Sequence, residues 1–479
     1  MLFTEPIFLF LFLPLLLACY YLNPRSSGYA NSLLVVASVL FYAKGGGSFT
    51  ALMLASIAFN YRMAIAVDRA RTTGHDRQVL ALAVAINLGV LGLFKYANFV
   101  GDNVNALSGM LGGTAMAFPR VALPIGISFY TFHAISYVVD VYRRDASAQK
   151  HPTHAALYLL LFPQLIAGPI IRYRDLAPQL GYRLVSLDCF ARGVQRFVMG
   201  LGKKVLIANT VATVADSIFR MPAAELTPAH AWLGAICYTV QIYFDFSGYS
   251  DMAIGLGAMF GFRFPENFRW PYIADSVQEF WRRWHISLSS WFRDYLYIPL
   301  GGNRGTTLRT YGNLVAVFFL CGLWHGASWT FVIWGLYHGS FLVLERLGLG
   351  EQLGHLWRPL RHVYLLLVVV IGWVFFRADT LSDAFGVLSA MAGRAASAPT
   401  PFSVQWYLTP PVALALIAGC IGACPLGLPL ERVWAKLESA AGLQVGATAA
   451  RVAVIGLILL ASIVQIAART YNPFIYFRF

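Results

Sequence analysis

Windows of about 20 predominantly apolar residues, the length a helix needs to cross hydrocarbon, recur along the whole chain and are separated by short polar stretches. They predict spans near residues 6–22, 30–43, 49–67, 79–99, 121–142, 153–171, 193–218, 231–261, 312–345, 360–376, 408–430 and 448–468. The 231–261 and 312–345 stretches are each long enough for a broken or paired helix, so the expected count is about eleven or twelve. The fold class is therefore an all-α polytopic membrane protein, with one continuous membrane domain over residues 1–479.

Two polar interruptions stand out. The run from Pro163 to Arg174 carries Pro163, Gly168 and Pro169, which break or kink a helix at membrane depth, where irregular backbone survives only under a cover of protein or in a wet cavity. The stretch 263–310 is polar and aromatic, and no window in it is apolar enough to span. Within it Phe280, Trp284, Leu288 and Trp291 recur at helical intervals, while Arg282, Arg283, Arg293 and Asp294 interrupt the apolar character. This pattern predicts an amphipathic helix at the cytoplasmic face, capped at Asp275 or Ser276. Ala395–Phe402 reads as a loop before the last two spans.

Composition agrees with a membrane. Charged residues are 12% of the chain against roughly 25% in soluble proteins, 58% of residues are hydrophobic, and the mean hydropathy is +0.62. A net charge of +14 would suggest nucleic acid in a soluble protein, but its distribution explains it otherwise. Arg25, then Arg69, Arg71 and Arg77, then Arg143, Arg144 and Lys150 fall in alternate loops, whereas the loops between them offer only Lys44, Lys95 and Arg120. The alternation is the positive-inside pattern, with the N-terminus periplasmic and no nucleic-acid partner. The first apolar stretch lacks a basic n-region and reads as a span, not a cleaved signal. The six cysteines lie mostly in apolar surroundings without metal-ligand spacing, as small buried side chains do, so no metal is expected.

Candidate chemistry centres on histidines. His325, in Trp324-His325-Gly326, sits inside the very apolar stretch from Val315 to Trp334, and an ionisable group there is a functional-site hypothesis by default. His285 lies 40 residues upstream in the basic aromatic run Glu279 to His285. One imidazole buried and one at a basic surface suggest proton transfer in a membrane. Gly322 and Gly326 would let backbone or substrate approach closely, with Trp324 and Trp329 as water-excluding walls. Asp245 and Asp251 are suited either to orienting a histidine or binding a polar group, or to pairing with a nearby Arg. His338 follows His325 by 13 residues, points elsewhere on a continuous helix, and reads as structural, as does His133. The competing class is a proton-coupled transporter or flippase, which also shows broken helices and buried charges. Such carriers usually contain two related halves, whereas the motif at 263–304 has no counterpart in the first half.

Four ordered strings carry a resemblance: Tyr243 to Gly255, Glu279 to Ser289, Arg293 to Asn303 and Leu323 to Ala327. With the sequence from about residue 1 to 380, and onward through the apolar C-terminal spans to Phe479, they closely resemble the membrane-bound O-acyltransferase family, more narrowly its bacterial alginate O-acetylation branch. The resemblance implies a ring of tilted helices, with interfacial or re-entrant helices, around a central tunnel in the bacterial inner membrane. It implies acyl transfer to a hydroxyl, His325 matching the intramembrane catalytic histidine and His285 the second functional position. Acetyl-CoA is then the expected donor, with no tightly bound cofactor, and Arg282 and Arg283 the basic patch for its phosphates, with Trp324 and Asp251 further candidates for substrate binding. Periplasmic acetyl-transfer or polysaccharide-modifying proteins are the expected partners, and alginate, acetylated cellulose or another envelope glycan the acceptor. Tyr476, in the aromatic terminus Phe474 to Phe479, is either an interfacial anchor or an acyl relay whose phenol carries the acetyl group.

Overall fold

The computed structural model describes residues 1–23, 26–394, 399–400, 402–440 and 443–468, and every regular element among them is a helix. Among the described residues, five helical stretches are long and apolar enough to cross a membrane: Phe49–Thr73, Asp76–Met110, Leu187–Phe219, Arg358–Arg377 and Gln444–Ala468. Phe8–Leu22, Leu381–Met391 and Pro410–Gly422 are shorter apolar helices. The expected blocks exceed this number because some are divided or shortened and others, such as Pro228–Met259, are long without being apolar enough, and Leu381–Met391 lies outside all of them. Most of the expected loop Ala395–Phe402 lies outside the described residues.

The chain is organised as two compact units, Met1–Val194 with Ala253–Pro265, and Gln195–Met252 with the described residues from Glu266 onward. In the first, Phe3, Phe8, Phe41 and Phe162 form a fully buried aromatic cluster. The helix Ile127–Arg143 is buried almost all round despite carrying Ser128, Thr131, His133, Ser136 and Asp140. The expected 153–171 span divides into Pro152–Leu160 and Phe162–Leu165, followed by non-helical backbone to Arg172, and residues 157–171 are all buried. The cover demanded of irregular backbone in hydrocarbon is thus supplied by protein. Lys95, expected in a loop, lies instead within the 35-residue helix Asp76–Met110, where its ammonium is buried and donates to Ser128 Oγ at 3.1 Å.

In the second unit the glycines at 200 and 248 replace each other's missing side chains. A Cβ on Gly200 would stand 2.5 Å from the Gly248 carbonyl oxygen, and one on Gly248 2.7 Å from that of Gly200. Such small residues let membrane helices approach through their backbones. The helix Pro228–Met259 runs unbroken for 32 residues, where the length left room for a broken or paired helix, because no proline interrupts its interior. Its carboxylates are paired: Asp245 with Lys204 at 2.5 Å, both buried, and Asp251 with Arg196 at 2.9 Å and Lys203 at 2.6 Å.

The polar aromatic stretch does not form one amphipathic helix. Ser276 caps Val277–Arg283, accepting from the Glu279 N–H, and the chain then reverses at His285, whose φ of 44° and ψ of 54° are left-handed, before Ile286–Phe292 begins. Phe280, Trp284, Leu288 and Trp291 nonetheless share one fate, all being buried in protein. The 312–345 region is the paired element anticipated: Thr307–His325 and Trp329–Leu344 fold back on each other around Gly322 and Gly335, where a Cβ on either would overlap main-chain atoms of the other helix.

Candidate active site

His325 is the last residue of its helix, because extended backbone at Gly326 ends the hydrogen-bond ladder there. The space beside Gly326, expected to admit backbone or substrate, is instead filled by the Phe331 ring, which lies where a Cβ would be. The His325 imidazole is 4% exposed and ringed by Trp324, Trp334 and Phe376, with centroids at 4.8, 5.0 and 5.1 Å. Trp334 and Phe376 meet it at 86° and 73°, the edge-to-face geometry that aromatic quadrupoles favour. Trp329, expected as a wall, is half-exposed, and Trp334 takes that role.

His285 is not at the surface. It is 1% exposed, since the left-handed turn swings its ring inward against Phe246 at 4.6 Å, edge on. Its Nδ1 lies 3.0 Å from Asn267 Oδ1, and Nε2 has no hydrogen-bond partner among the described residues. Trp324 stands 6.2 Å from the His285 ring and 4.8 Å from that of His325, so one indole serves both histidines.

The basic patch divides in two. Arg282 is exposed, with one long contact to Glu279 at 3.5 Å, while Arg283 is held by Glu279 at 2.8 Å and the Arg269 carbonyl at 3.3 Å. Asp251 has both carboxylate oxygens engaged, by Arg196 and Lys203, which makes it a member of an ion-pair network with Glu266 on the same arginine. Tyr476 lies outside the described residues.

His338 comes nearer the centre than a continuous helix allows. The break after His325 reverses the chain, so Trp334 packs against both His325, at 5.0 Å, and His338, at 5.3 Å. Its ring fits over Gly372, where a Cβ would stand 2.5 Å from Nε2. Trp334, Phe376 and Asn267 carry no signal of their own in the sequence: two are ordinary aromatics of apolar blocks, and Asn267 sits in the polar run 263–310 with nothing to single it out.

An all-helical membrane protein with two buried imidazoles at one indole is equipped for proton transfer in a site that excludes bulk water, as acyl transfer to a hydroxyl requires. Residues 106–350 match the model of the membrane-bound O-acyltransferase family, and the chain belongs to that family. It is an O-acyltransferase, not a transporter. It is 45% identical to a protein of Azotobacter vinelandii named probable alginate O-acetylase, over 100% of both chains. A protein of the same name from Pseudomonas aeruginosa is 50% identical over 82% of this chain and 75% of its own. A peptidoglycan O-acetyltransferase of Helicobacter pylori is 38% identical over 82% of this chain and 80% of its own.

Proposed function

We propose that this enzyme sits in the bacterial inner membrane, takes an acetyl group from acetyl-CoA on the cytoplasmic side, and passes it on for O-acetylation of exported alginate, with periplasmic proteins completing the transfer. The observation that carries the reading is the pair His325 and His285 around Trp324, in a chain 45% identical from end to end to a probable alginate O-acetylase. Chemically, a neutral imidazole at His325 removes the acceptor hydroxyl's proton as its oxygen bonds to the thioester carbonyl carbon. The carbon–sulfur bond then breaks and the departing thiolate takes that proton. His285 assists at the donor's side of Trp324, and the exposed Arg282 supplies charge for the donor's phosphates, with Arg283 and the Asp251 network shaping the same face.

Acetyl content of the secreted polysaccharide, normalised to enzyme in the membrane, tests the reading; it falls to background in His325→Ala, and a normal content would remove His325 from the chemistry. Orientation is tested by Arg282→Cys, which reacts with an impermeant thiol reagent from the cytoplasmic side only, above the labelling of the parent. Labelling from the periplasm would reverse the topology, including the periplasmic N-terminus. The Helicobacter pylori relative favours a second reading, another envelope glycan as acceptor. In that case peptidoglycan, not alginate, loses acetyl groups when His325 is replaced.

A further inference from the structure

Asn267 is 1% exposed, and its side chain meets four partner atoms on three residues of the second unit. Its Oδ1 accepts from the Ser287 main-chain N–H at 3.2 Å and from Ser287 Oγ at 2.9 Å, and its Nδ2 donates to Ser250 Oγ at 2.9 Å. The fourth partner is His285 Nδ1, 3.0 Å from the same Oδ1. The Asn267 carbonyl also accepts the Ile286 N–H at 2.9 Å, so this residue caps the helix that starts after His285. A main-chain N–H can only donate, which settles the oxygen end of the carboxamide as the one facing Ser287 and His285. An imidazole nitrogen against a carbonyl oxygen must itself carry the hydrogen. In a neutral ring the other nitrogen then holds the lone pair.

We infer that Asn267 is a positioning residue that holds His285 in the Nδ1–H tautomer and leaves the Nε2 lone pair as acceptor for a substrate N–H or O–H group. This rests on the reading of His285 as part of the active site. The lone pair is buried beside Phe246 and Trp324 with no partner among the described residues. A buried acceptor left unmade costs free energy that an apolar side chain of similar size would avoid. His285 also holds a left-handed backbone that β-carbon residues rarely adopt, and that turn is what brings Nδ1 to Asn267. Both costs are explained if the ring is being aimed, with its hydrogen anchored to the protein and its base presented elsewhere. The logic is that of an orienting residue behind a general base.

Two measurements test this independently. Solid-state ¹⁵N NMR of histidine-labelled enzyme in lipid bilayers, with the His285 signal assigned by its loss in His285→Ala, is expected to show hydrogen on Nδ1 and none on Nε2 at neutral pH. A hydrogen on Nε2 overturns the inference whatever the variants do. In the second, Asn267→Asp keeps an oxygen acceptor for both His285 and Ser287, so acetylation per enzyme molecule stays within about threefold of the parent, whereas Asn267→Leu and Asn267→Ala lose about 10²-fold, the lower end of a general base's contribution. A purely capping role predicts lower enzyme abundance with unchanged activity per molecule, and that result also overturns it. If His285→Ala acetylates normally while the NMR tautomer is as stated, the assignment of His285 to the active site fails and the geometry of Asn267 does not.

Discussion

Both units bury histidines, and His133 of the first and His285 of the second are wired in opposite senses. In the first, His133 Nε2 accepts the main-chain N–H of Ile171 at 3.4 Å, which puts the ring's lone pair to use in holding the irregular backbone after Gly168. In the second, His285 gives its N–H to Asn267, and the lone pair at Nε2 has no partner among the described residues. A base needs a lone pair that the fold has not claimed. Burial alone does not tell the two residues apart, while the direction of one hydrogen bond separates a histidine that holds the structure from one that is available for chemistry.

The contrast is tested first where the largest effects are expected. His325→Ala, which deletes the proposed base at the end of its helix, is expected to lower acetylation by about 10² to 10⁴ with membrane insertion unchanged. His285→Ala is expected to lose about 10²-fold at normal abundance. His133→Ala should do the reverse: activity per molecule is kept, while the orphaned Ile171 N–H lowers stability by about 1–3 kcal/mol, read as thermal unfolding in detergent. The comparison breaks if His133→Ala is inactive yet as stable as the parent.

Much of the fold, and the two histidines at the centre of the proposed site, are legible in the amino-acid sequence alone. The apolar blocks announce an all-helical membrane protein because bilayer thickness sets one length for every span. His325 and His285 are visible as titratable residues in company that disfavours them. What the sequence hides is geometry created by backbone reversals. The left-handed turn at His285 converts an apparently amphipathic helix into a buried corner, and the break at Gly326 brings Trp334 and His338 back toward His325. Helical periodicity assumes a continuous axis, and for that reason it sends His338 elsewhere. Asn267 is hidden for another reason: its importance lies in whom it touches, Ser250, His285 and Ser287, and a polar residue in a polar run gives no sign of that.

Glycines sharpen the comparison at intermediate scale. Gly335 faces main-chain atoms of Phe318 and Gly322 that cannot swing aside, so Gly335→Ala is expected to spread the hairpin carrying His325 and to cost about 1–3 kcal/mol with a loss of activity. Gly92, inside the Asp76–Met110 helix of the first unit, has nothing within 4 Å of a Cβ position. Gly92→Ala should be neutral or stabilise by about 0.5–1 kcal/mol, as an alanine in a helix interior does. Equal losses at both positions would mean that the hairpin has no special demand for close approach.

The smallest effect is expected from the cations, where the same distinction between claimed and available groups recurs. Arg71 in the first unit is bound to Asp68 and to the Val141 carbonyl, so Arg71→Gln acts on stability and leaves the donor's KM alone. Arg282 is exposed, and its one ion-pair contact among the described residues, to Glu279, is long. A surface charge of this kind contributes weakly, so Arg282→Gln should raise the KM for acetyl-CoA by only about two- to fivefold with kcat unchanged, which is the signature of lost uniform binding. Because the attraction is exposed, the difference between variant and parent shrinks as salt rises from about 0.01 to 0.15 M and the screening length falls from about 30 to 8 Å. A KM that does not move at low salt takes Arg282 out of donor binding and leaves Arg283, already tied to Glu279 and the Arg269 carbonyl, as a purely structural neighbour.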